Sequence, residues 1–453
     1  MRPPANASAI AAATVLTAAS TVLAIESPGY VVLLLGAIWV MLPSRPDATP
    51  KWLTILILAM TFGSLLPEAA SLVIQALSLL AAYLLWLSTP ASERRATSTV
   101  LWASAVIAFW AVLIFHANVP TLETGLLGLR KTVFCVVGLV LGAAVARRHL
   151  PAFERTLVKI LALGVGTSIA LFLFAPALES SLVTRDADVY TGMLSGVARL
   201  QGIFAGPFHA ATAGLILIVW GIARFRVQRN LALVCIGVGA IAVYLSLVRT
   251  AYVALAVAVA FMILASPTAG KAIRRIVGVA LAAIAGGVVI TATNSEAFAI
   301  VETIFEFGTD ARFAGRFPGY AEGLTLITQS PIFGWGAGSA GDTLGPAFIH
   351  GEHVTSHNVL LKIGVEGGLL GLALWFGLIT SAVRRLPRLS PYTPAAVGML
   401  GILLGMGLTG SSLEALPVTF VAFVLVGLGL DAGAVTPTVG RPFAEPRRAP
   451  VRR

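Results

Sequence analysis

Long apolar segments separated by short polar connections run along almost the whole chain. Many of them approach the roughly 20 residues that cross a hydrocarbon core about 30 Å thick. The second, third and thirteenth are short, so twelve true crossings is the alternative count. The pattern predicts an all-α polytopic membrane protein with 12–14 transmembrane helices. The fourteen predicted spans are 7–25, 29–43, 52–67, 69–87, 97–115, 129–146, 156–174, 208–225, 232–248, 251–267, 276–293, 358–379, 395–410 and 418–433.

Composition supports this fold class. Of 453 residues, 57% are hydrophobic and only 11% are charged. The net charge of +11 lies mostly in short connections, so orientation in a membrane explains it better than nucleic-acid binding. Cys135 and Cys235 both lie inside apolar segments, which argues against a disulfide framework and against a cysteine metal site. The first apolar segment lacks a small-residue cleavage site and is expected to be a span.

Basic residues mark alternate connections. Of 31 lysines and arginines, 23 fall on one side of the predicted span map. The positive-inside rule makes that side cytoplasmic, with both termini inside. The remaining eight lie on or near the opposite face, and six of them are arginine, which suits bidentate contact with phosphate or carboxylate. These eight are Arg130, Lys131, Arg185, Arg199, Arg249, Arg312, Arg316 and Lys362.

Two outer connections are much longer than the others and divide the chain. Loops of more than about 15 residues without structure of their own are usually functional. The C-terminal tail is rich in Pro and Arg and is predicted to be disordered and cytoplasmic. The predicted divisions are N-terminal helices in 1–174, a first large outer loop in 175–207, central helices in 208–293, a second large outer loop in 294–357, C-terminal helices in 358–433 and the tail in 434–453.

The second long loop contains a glycine-rich run, Gly334-Trp335-Gly336-Ala337-Gly338, shortly after Pro331. We favour a tight turn at the membrane surface, with Trp335 as an interfacial anchor. Close approach of the backbone to another element or to a ligand is the alternative, because glycine lacks a side chain. No Gly-Lys-Ser/Thr follows, which argues against a phosphate loop of the nucleotide-binding kind.

Three of the six histidines, His350, His353 and His357, lie in the same loop. On a helix, His353 and His357 would share one face and could bind a metal, but the spacing fixes no third ligand. We therefore favour proton transfer by one histidine. His357 is the candidate, because it stands just before an apolar helix, where a neutral imidazole can act as a base.

The outer arginines have structural alternatives to ligand binding. Arg199 stands just before a span, and Arg249 lies between two spans joined almost without a loop. Snorkelling to the membrane interface is the alternative for Arg249. For Arg312 and Arg316 the alternative is an ordinary solvated surface pair.

Glu366 lies roughly two turns into a predicted span. An ionisable group at such a position is costly and is therefore a functional candidate. It has two possible partners: Lys362, four residues earlier, in a purely structural contact, or one of the arginines in support of the site.

Several short motifs, taken together, resemble the C-terminal signature of the O-antigen ligase and O-antigen polymerase family. Arg199 in R-x-x-G-x-F-x-x-P and Arg249 in S-x-x-R-T match the family's two upstream arginine motifs. The chain departs from the pattern in having Tyr320 where tryptophan is common and Asn358 directly after the histidine. The C-terminal motifs are Arg316-x-x-x-Tyr320, Pro331-x-Phe333-Gly334-Trp335-Gly336-x-Gly338, His357-Asn358-x-Leu360-Leu361 and Glu366-Gly367-Gly368-x-x-Gly371.

The resemblance implies an inverting, metal-independent glycosyltransferase of the GT-C-like class in the bacterial inner membrane, with a periplasmic active site and no cofactor. Family members move a glycan from an undecaprenyl-diphosphate carrier to an acceptor hydroxyl during assembly of cell-envelope polysaccharides such as lipopolysaccharide. The acceptor can belong to a glycan, a lipid or a protein, and no nucleic acid takes part. Ligation, polymerisation and transfer to protein all remain open from these residues.

The resemblance also implies roles for individual side chains. His357 would remove the proton from the acceptor hydroxyl as it attacks the anomeric carbon. Glu366 and Tyr320 would support the reacting side chains. The donor diphosphate would be held by Arg199, Arg249 and Arg316, assisted by Arg312 or Arg130.

A transporter or flippase of lipid-linked or anionic solutes is the main alternative function. Transport sites usually lie near the membrane midplane, often on broken helices in repeated halves. Here the charge is predicted at the outer face, and the sequence shows no internal repeat. A structural membrane scaffold is a third possibility, in which alanine at Arg199, Arg249 and His357 would leave surface polysaccharide unchanged.

Overall fold

The chain is a bundle of α-helices, as the hydropathy pattern predicts. In the computed structural model the described residues are 51–61, 68–91, 94–182, 193–194, 197–266, 274, 277–278, 316–341, 357–408, 410 and 412–432. This confirms the all-α polytopic class. The predictions that lie outside the described residues concern spans 7–25 and 29–43, most of span 276–293, Arg185, Arg312, His350, His353 and the tail 434–453.

Thirteen helices are described. Two short 3₁₀ turns, Arg147–His149 and Ser412–Glu414, and one antiparallel pair of two-residue strands, β1 (Met193–Leu194) and β2 (Val197–Ala198), complete the described elements. In chain order the helices are α1 (Lys51–Thr61), α2 (Glu68–Ser88), α3 (Thr97–Leu113), α4 (Leu122–Ala144), α5 (Leu150–Phe174), α6 (Pro176–Leu182), α7 (Pro207–Arg224), α8 (Arg229–Ser246), α9 (Arg249–Leu264), α10 (Arg316–Gln329), α11 (Val359–Arg384), α12 (Thr393–Gly407) and α13 (Val418–Gly429).

Five of these helices are long and apolar enough to cross a membrane: α4, α5 with the turn before it, α7, α8 and α11. Five more are apolar but shorter: most of α2, and α3, α9, α12 and α13. Each predicted span from residue 69 to 267 and from 358 to 433 corresponds to one of these ten helices. Helices α6 and α10 fall in the two segments predicted as long loops.

Neighbouring helices pack in pairs, α7 with α8, α4 with α13, and α9 with α12. Glycines bring α4 and α13 into backbone contact. A Cβ placed on Gly138 would meet the carbonyl oxygen of Phe420, and one on Gly142 would meet that of Val424. Small residues at such interfaces are the usual route to close helix packing in membranes.

The basic connections collect at one end of the bundle, here called the basic end. Buried Arg95 links two helices at this end. Its guanidinium donates to four backbone carbonyl oxygens at the C-terminal ends of α4 and α13. Burial lowers the pKa of Arg95 to about 10, so the side chain stays a cation at neutral pH. The carbonyls belong to Gly142, Val145, Leu428 and Leu430, at 2.7, 2.9, 3.2 and 2.9 Å.

The opposite end, here called the site end, is where α4, α7, α9, α11 and α13 begin and where α3, α8 and α12 finish. Every residue named above as a candidate site residue, where described, belongs to this end or to the turns just below it. The helices therefore alternate in direction as the basic residues predict. Which end faces the cytoplasm stays a prediction.

Candidate functional site

Helix α11 is interrupted at Gly368, whose backbone angles are φ +62° and ψ −160°. An uninterrupted helix would bond the N–H groups of Leu369 and Leu370 to the carbonyls of Val365 and Glu366. The break frees these four groups inside an apolar helix, where an unsatisfied backbone group costs several kcal/mol. They must find partners elsewhere.

The partners come from residues 331–341, here called the glycine loop. The N–H groups of Trp335 and Gly336 donate to the carbonyls of Val365 and Glu366, at 2.8 and 3.0 Å. The carbonyls of Pro331 and Ile332 in turn accept from the N–H groups of the two leucines that follow the break, at 2.7 and 3.3 Å. All four freed groups therefore have hydrogen-bond partners. The loop supplies the hydrogen bonds that the missing turn of the helix would have made.

We call these four hydrogen bonds between the glycine loop and α11 the interlock. Two glycines allow the two backbones to approach closely enough to form it. A Cβ on Gly334 would lie 2.5 Å from the backbone of Glu366, and a Cβ on Gly368 would lie 2.5 Å from the carbonyl of Ile332. Both residues also have positive φ, which glycine adopts without strain. The favoured prediction of a surface turn at Gly334–Gly338 is therefore wrong. Close approach to another element, the alternative, is what the structure shows.

From Gly334 onward, the glycine loop is buried or half-buried between α3, α4 and α11. The N–H of Ala337 donates to the carbonyl of Leu113 at the end of α3, and Gly338 lies against Gly128 of α4. Trp335 is half-buried, and its indole N–H donates to the carbonyl of Leu326 in α10 at 3.0 Å. Trp335 is thus fixed within the protein and ties α10 to the loop.

Buried charges lie directly beneath the loop. The ammonium Nζ of Lys362 contacts Glu366 Oε1 at 2.8 Å, Glu414 Oε1 at 2.6 Å and the carbonyl of Ala340 at 2.6 Å. We call Lys362, Glu366 and Glu414 the Lys362 cluster. None of the three side chains is more than 3% exposed, so the cluster is closed to bulk solvent.

The second oxygen of Glu366 is also occupied. Its Oε2 accepts from the indole N–H of Trp110 at 2.9 Å and from the hydroxyl of Thr132 at 2.7 Å. Of the two partners that the sequence allows, the structure therefore shows Lys362. A supporting role of Glu366 for the reacting groups stays a prediction, and any such role acts through this cluster.

His357 lies at the mouth of the site end, one residue before the N-cap of α11. It is half-buried and has a φ of +42°, an uncommon value for a residue with a side chain. Burial and the neighbouring positive charge of Arg316 lower the pKa of His357, and Glu414 opposes them by raising it. His357 is therefore neutral at pH 7 and able to accept a proton.

Arg316 and Tyr320 reach the same place from α10. Arg316 is the first residue of that helix, and the hydroxyl of Tyr320 contacts the carbonyl of Leu408 at 3.5 Å. The side-chain amide of Asn358 donates to the same carbonyl at 3.1 Å. The Leu408 carbonyl, at the end of α12, therefore contacts residues near the first turns of both α10 and α11. His357 precedes Asn358, and Arg316 is one turn before Tyr320.

Arg199 and Arg249 both lie at the connection between α8 and α9. The guanidinium Nε of Arg199 donates to the carbonyl of Ser246 at 3.1 Å, and Arg249 is the first residue of α9. The next residue, Thr250, contacts the sulfur of Met406 at 3.9 Å, just before Leu408 on α12. The chain thus brings both upstream arginines to the end of the bundle that carries His357.

The remaining candidates have less definite positions. Arg130 is half-buried on α4, two residues before the threonine that binds Glu366. Arg312 lies outside the described residues, as do His350 and His353. Over the described part of the chain, no three His, Cys, Asp or Glu side chains are grouped as metal ligands.

The sequence did not single out Glu414. It lies in a short connection between two apolar spans, and the signal available was an acidic residue in that position. No spacing in the sequence links it to Lys362, because 51 intervening residues separate the two along the chain. Their contact exists only in the folded bundle.

An apolar groove of about 890 Å³ opens beside the site end. Helices α9, α11, α12 and α13 line it, and it follows α11 from Val359 and Leu360 down to Arg384. Its far mouth, at the basic end, includes Arg388. The groove therefore runs the length of α11 and begins two residues from His357.

The fold and this site define a polytopic membrane protein whose broken helix is sealed by a glycine loop next to a histidine and arginines. Residues 231–376 match the family model described as O-antigen ligase, which confirms the resemblance to that family. The match includes Arg249, Arg316, Tyr320, His357 and Glu366, and it supports glycan transfer of the ligase or polymerase type in general. Among curated proteins, none matches the chain.

Proposed function

We propose that the protein transfers a glycan from a polyprenyl-diphosphate carrier, such as undecaprenyl diphosphate, to an acceptor hydroxyl at the periplasmic face of the inner membrane. The observation that carries the proposal is His357, kept neutral by burial and by Arg316, at the end of the bundle that also holds Arg199 and Arg249. The family match over the same region supports this class of reaction.

The reaction follows from these groups. His357 accepts the proton of the acceptor hydroxyl while the hydroxyl oxygen attacks the anomeric carbon. The bond from that carbon to the diphosphate breaks, the configuration inverts, and the diphosphate leaves with its negative charge. Arg199, Arg249 and Arg316 balance that charge, with Arg130 and Arg312 assisting, so neither a metal nor a cofactor is required. The proton then passes from His357 to water.

The groove along α11 suits the lipid part of such a donor. The residues that line it extend along α11 from Val359 to Arg384, so the groove reaches from the site end to the basic end. One long polyprenyl chain can fill a groove of that length, whereas the chains of a phospholipid reach only to the midplane. A donor lipid in the groove would have its headgroup at the end nearest His357, because the lining begins at Val359 and Leu360.

The test is glycan transfer by purified protein in proteoliposomes supplied with a polyprenyl-diphosphate glycan. His357→Ala and Arg249→Ala should lose transfer by at least 100-fold, because each removes a group that acts on the reacting atoms or the leaving group. Arg148→Ala, on an exposed residue of the basic end, is the matched control and should keep the parental rate. If His357→Ala transferred glycan at the parental rate, the assignment of His357 as the general base would be wrong.

The same proteoliposomes address the transporter alternative. A broken helix is a feature that many transporters use at their binding sites. In this protein the glycine loop satisfies the backbone groups at the break, which favours a fixed site over an open pathway. Transfer to the acceptor without movement of the donor across the bilayer supports the enzyme, and movement without transfer supports the transporter.

A further inference from the structure

Helix α10 runs alongside the first half of α11 and in the same direction. The two helices start at the same level, because residues near the first turns of both contact one carbonyl at the end of α12. Further along, Gly323 of α10 lies against Leu361 of α11, and a Cβ on Gly364 would lie 2.6 Å from the end of the Ile327 side chain. Helix α10 therefore descends beside α11, from the site end into the bundle.

The descent ends at residues 331–333, here called the tip. The carbonyls of the first two tip residues accept from Leu369 and Leu370, the residues of α11 that follow its break. The N–H of Gly334 donates to the carbonyl of Ser330 at 3.2 Å, which closes the turn below the end of α10. The tip is therefore the deepest part of this segment.

The rest of the glycine loop returns towards the site end. Trp335 is level with Val365, and Ala340 is level with Lys362, whose ammonium its carbonyl accepts from. The returning part is buried or half-buried in protein, the condition under which non-helical backbone is tolerated at membrane depth. Residues 316–341 thus enter and leave the bundle at its site end. We call them the α10 hairpin.

The depth of the hairpin can be counted from both ends of the bundle. Glu366, level with Gly336, is seven residues after Val359, a rise of about 10 Å in a regular helix. Trp110, which binds Glu366, is 15 residues after Arg95 at the basic end, a rise of about 22 Å. A hydrocarbon core is about 30 Å thick. Glu366 lies within such a core by either count, and the tip lies deeper still.

Large apolar side chains point outward from the hairpin. At the tip, Ile332 is 60% exposed and Phe333 is 54% exposed, and Phe317 and Leu324 of α10 are similarly exposed. This surface continues onto exposed Leu369 of α11, a helix long and apolar enough to cross a membrane. Contiguous exposed apolar surface marks a contact with protein or membrane. Here it is continuous with the outer surface of a predicted span.

Two exposed threonines on α10 do not require water. The hydroxyls of Thr325 and Thr328 donate to the carbonyls of Ala321 and Thr325, at 3.0 and 2.7 Å. The exposed amide of Gln329 favours the alternative, a water-filled cleft on this side of the hairpin. The tip argues against that cleft, because water in it would meet two large apolar side chains.

We propose that the α10 hairpin is a re-entrant membrane segment whose outward apolar surface contacts the acyl chains of lipids in the leaflet at the site end. Its first residue, Arg316, is then held at the level of the lipid headgroups. Part of the segment that the sequence predicts as a large outer loop is, on this proposal, inserted in the membrane. The inference concerns membrane contact and is independent of whether the protein transfers a glycan.

The test is the depth of nitroxide labels on single introduced cysteines in proteoliposomes. Ile332→Cys and Phe333→Cys report on the tip. Leu163→Cys, exposed in the middle of α5, is the lipid-facing control, and Asn118→Cys, in an exposed connection of the site end, is the aqueous control. The tip labels should collide with oxygen as the Leu163 label does, and several-fold less with a water-soluble nickel chelate than the Asn118 label. Tip labels that collide with the chelate as the Asn118 label does would overturn the proposal in favour of the cleft.

A charge placed at the tip gives a second, label-free measurement. Phe333→Lys should clearly lower the midpoint of thermal unfolding in proteoliposomes, because a charged side chain in hydrocarbon is costly. Phe317→Lys is the matched control, since Phe317 is next to Arg316 and a lysine there can reach the headgroups. Equal, small shifts for the two variants would contradict lipid contact at the tip.

Discussion

At the scale of single residues, the contact between the glycine loop and α11 depends on positions where only glycine fits. Gly368 combines a positive φ with backbone contact to Ile332, so any Cβ there is both strained and obstructed. His357 also has positive φ, yet it keeps a side chain, and its ring lies near two opposite charges. Backbone strain is a recurring property of functional sites, which is consistent with the role proposed for His357.

Gly368→Ala should disrupt the interlock. We expect a lower midpoint of thermal unfolding in detergent and a large loss of transfer, because a φ of +62° with a ψ of −160° lies in a region used almost only by glycine, which costs another residue about 1–3 kcal/mol, and because Ile332 would have to move. Gly237→Ala is the control, since Gly237 is on a helix with open space around it. Equal effects of the two substitutions would contradict the interlock.

The pH dependence of the parent protein should show the lowered pKa of His357. A base must be neutral to act, so activity is lost as the pH falls through its pKa. Because burial and Arg316 lower that pKa, the midpoint of the acidic limb in the pH profile of kcat/KM should lie below the usual imidazole pKa of about 6.5. A limb clearly above that value would argue against His357 as the base.

At the scale of elements, α10, α11 and α12 are joined through one carbonyl. Asn358 caps α11 by accepting from the N–H groups of Leu360 and Leu361, and its amide reaches Leu408 on α12. Tyr320 reaches the same carbonyl from α10. The position of His357, one residue before the cap, is therefore set by three helices at once.

Asn358→Ala should loosen this junction. It removes a helix cap worth about 1 kcal/mol together with the contact to Leu408. We expect a modest fall in thermal stability and a larger fall in transfer, because the adjacent His357 loses its fixed position. Asn358→Asp keeps the capping oxygen and should recover most of the stability, which differential scanning fluorimetry in detergent can measure.

Prediction from sequence worked for some of these elements and failed for others for physical reasons. Helix positions follow from apolar length, and the Lys362–Glu366 pair follows from the four-residue spacing on a helix. The break at Gly368 does not follow, because Gly-Gly in an apolar run fits close helix packing equally well. Its partners in the glycine loop lie more than 30 residues earlier, and such long-range hydrogen bonds leave no periodic signal.

At the scale of the whole molecule, most of the basic residues and the candidate site residues lie at opposite ends of the helix bundle. Most described basic side chains mark the basic end, where Arg95 binds the ends of α4 and α13. The described arginines with candidate roles, Arg130, Arg199, Arg249 and Arg316, are at the site end. This separation is what the positive-inside rule and an extracytoplasmic site together predict, and the assignment of each end to a membrane face is open to direct measurement.

Cysteine labelling tests that assignment. Cys135 and Cys235 are buried, so their background reaction should be low. In intact cells or spheroplasts, a membrane-impermeant maleimide should label Asn118→Cys, in an exposed connection of the site end, and should spare Arg148→Cys at the basic end until the membrane is opened. The reverse pattern would place the site in the cytosol, away from the proposed donor.

The sealed break in α11 also constrains how the protein is assembled. Translation produces residues 331–341 before Glu366 to Leu370, so the loop has already left the ribosome when the helix that requires it is made. A C-terminal fragment that begins after residue 341 has no such template. Its Gly368 would have to adopt ordinary helical angles to satisfy the backbone in lipid, which yields a straight helix of different shape. Correct geometry of α11 thus depends on a segment that is synthesised before it.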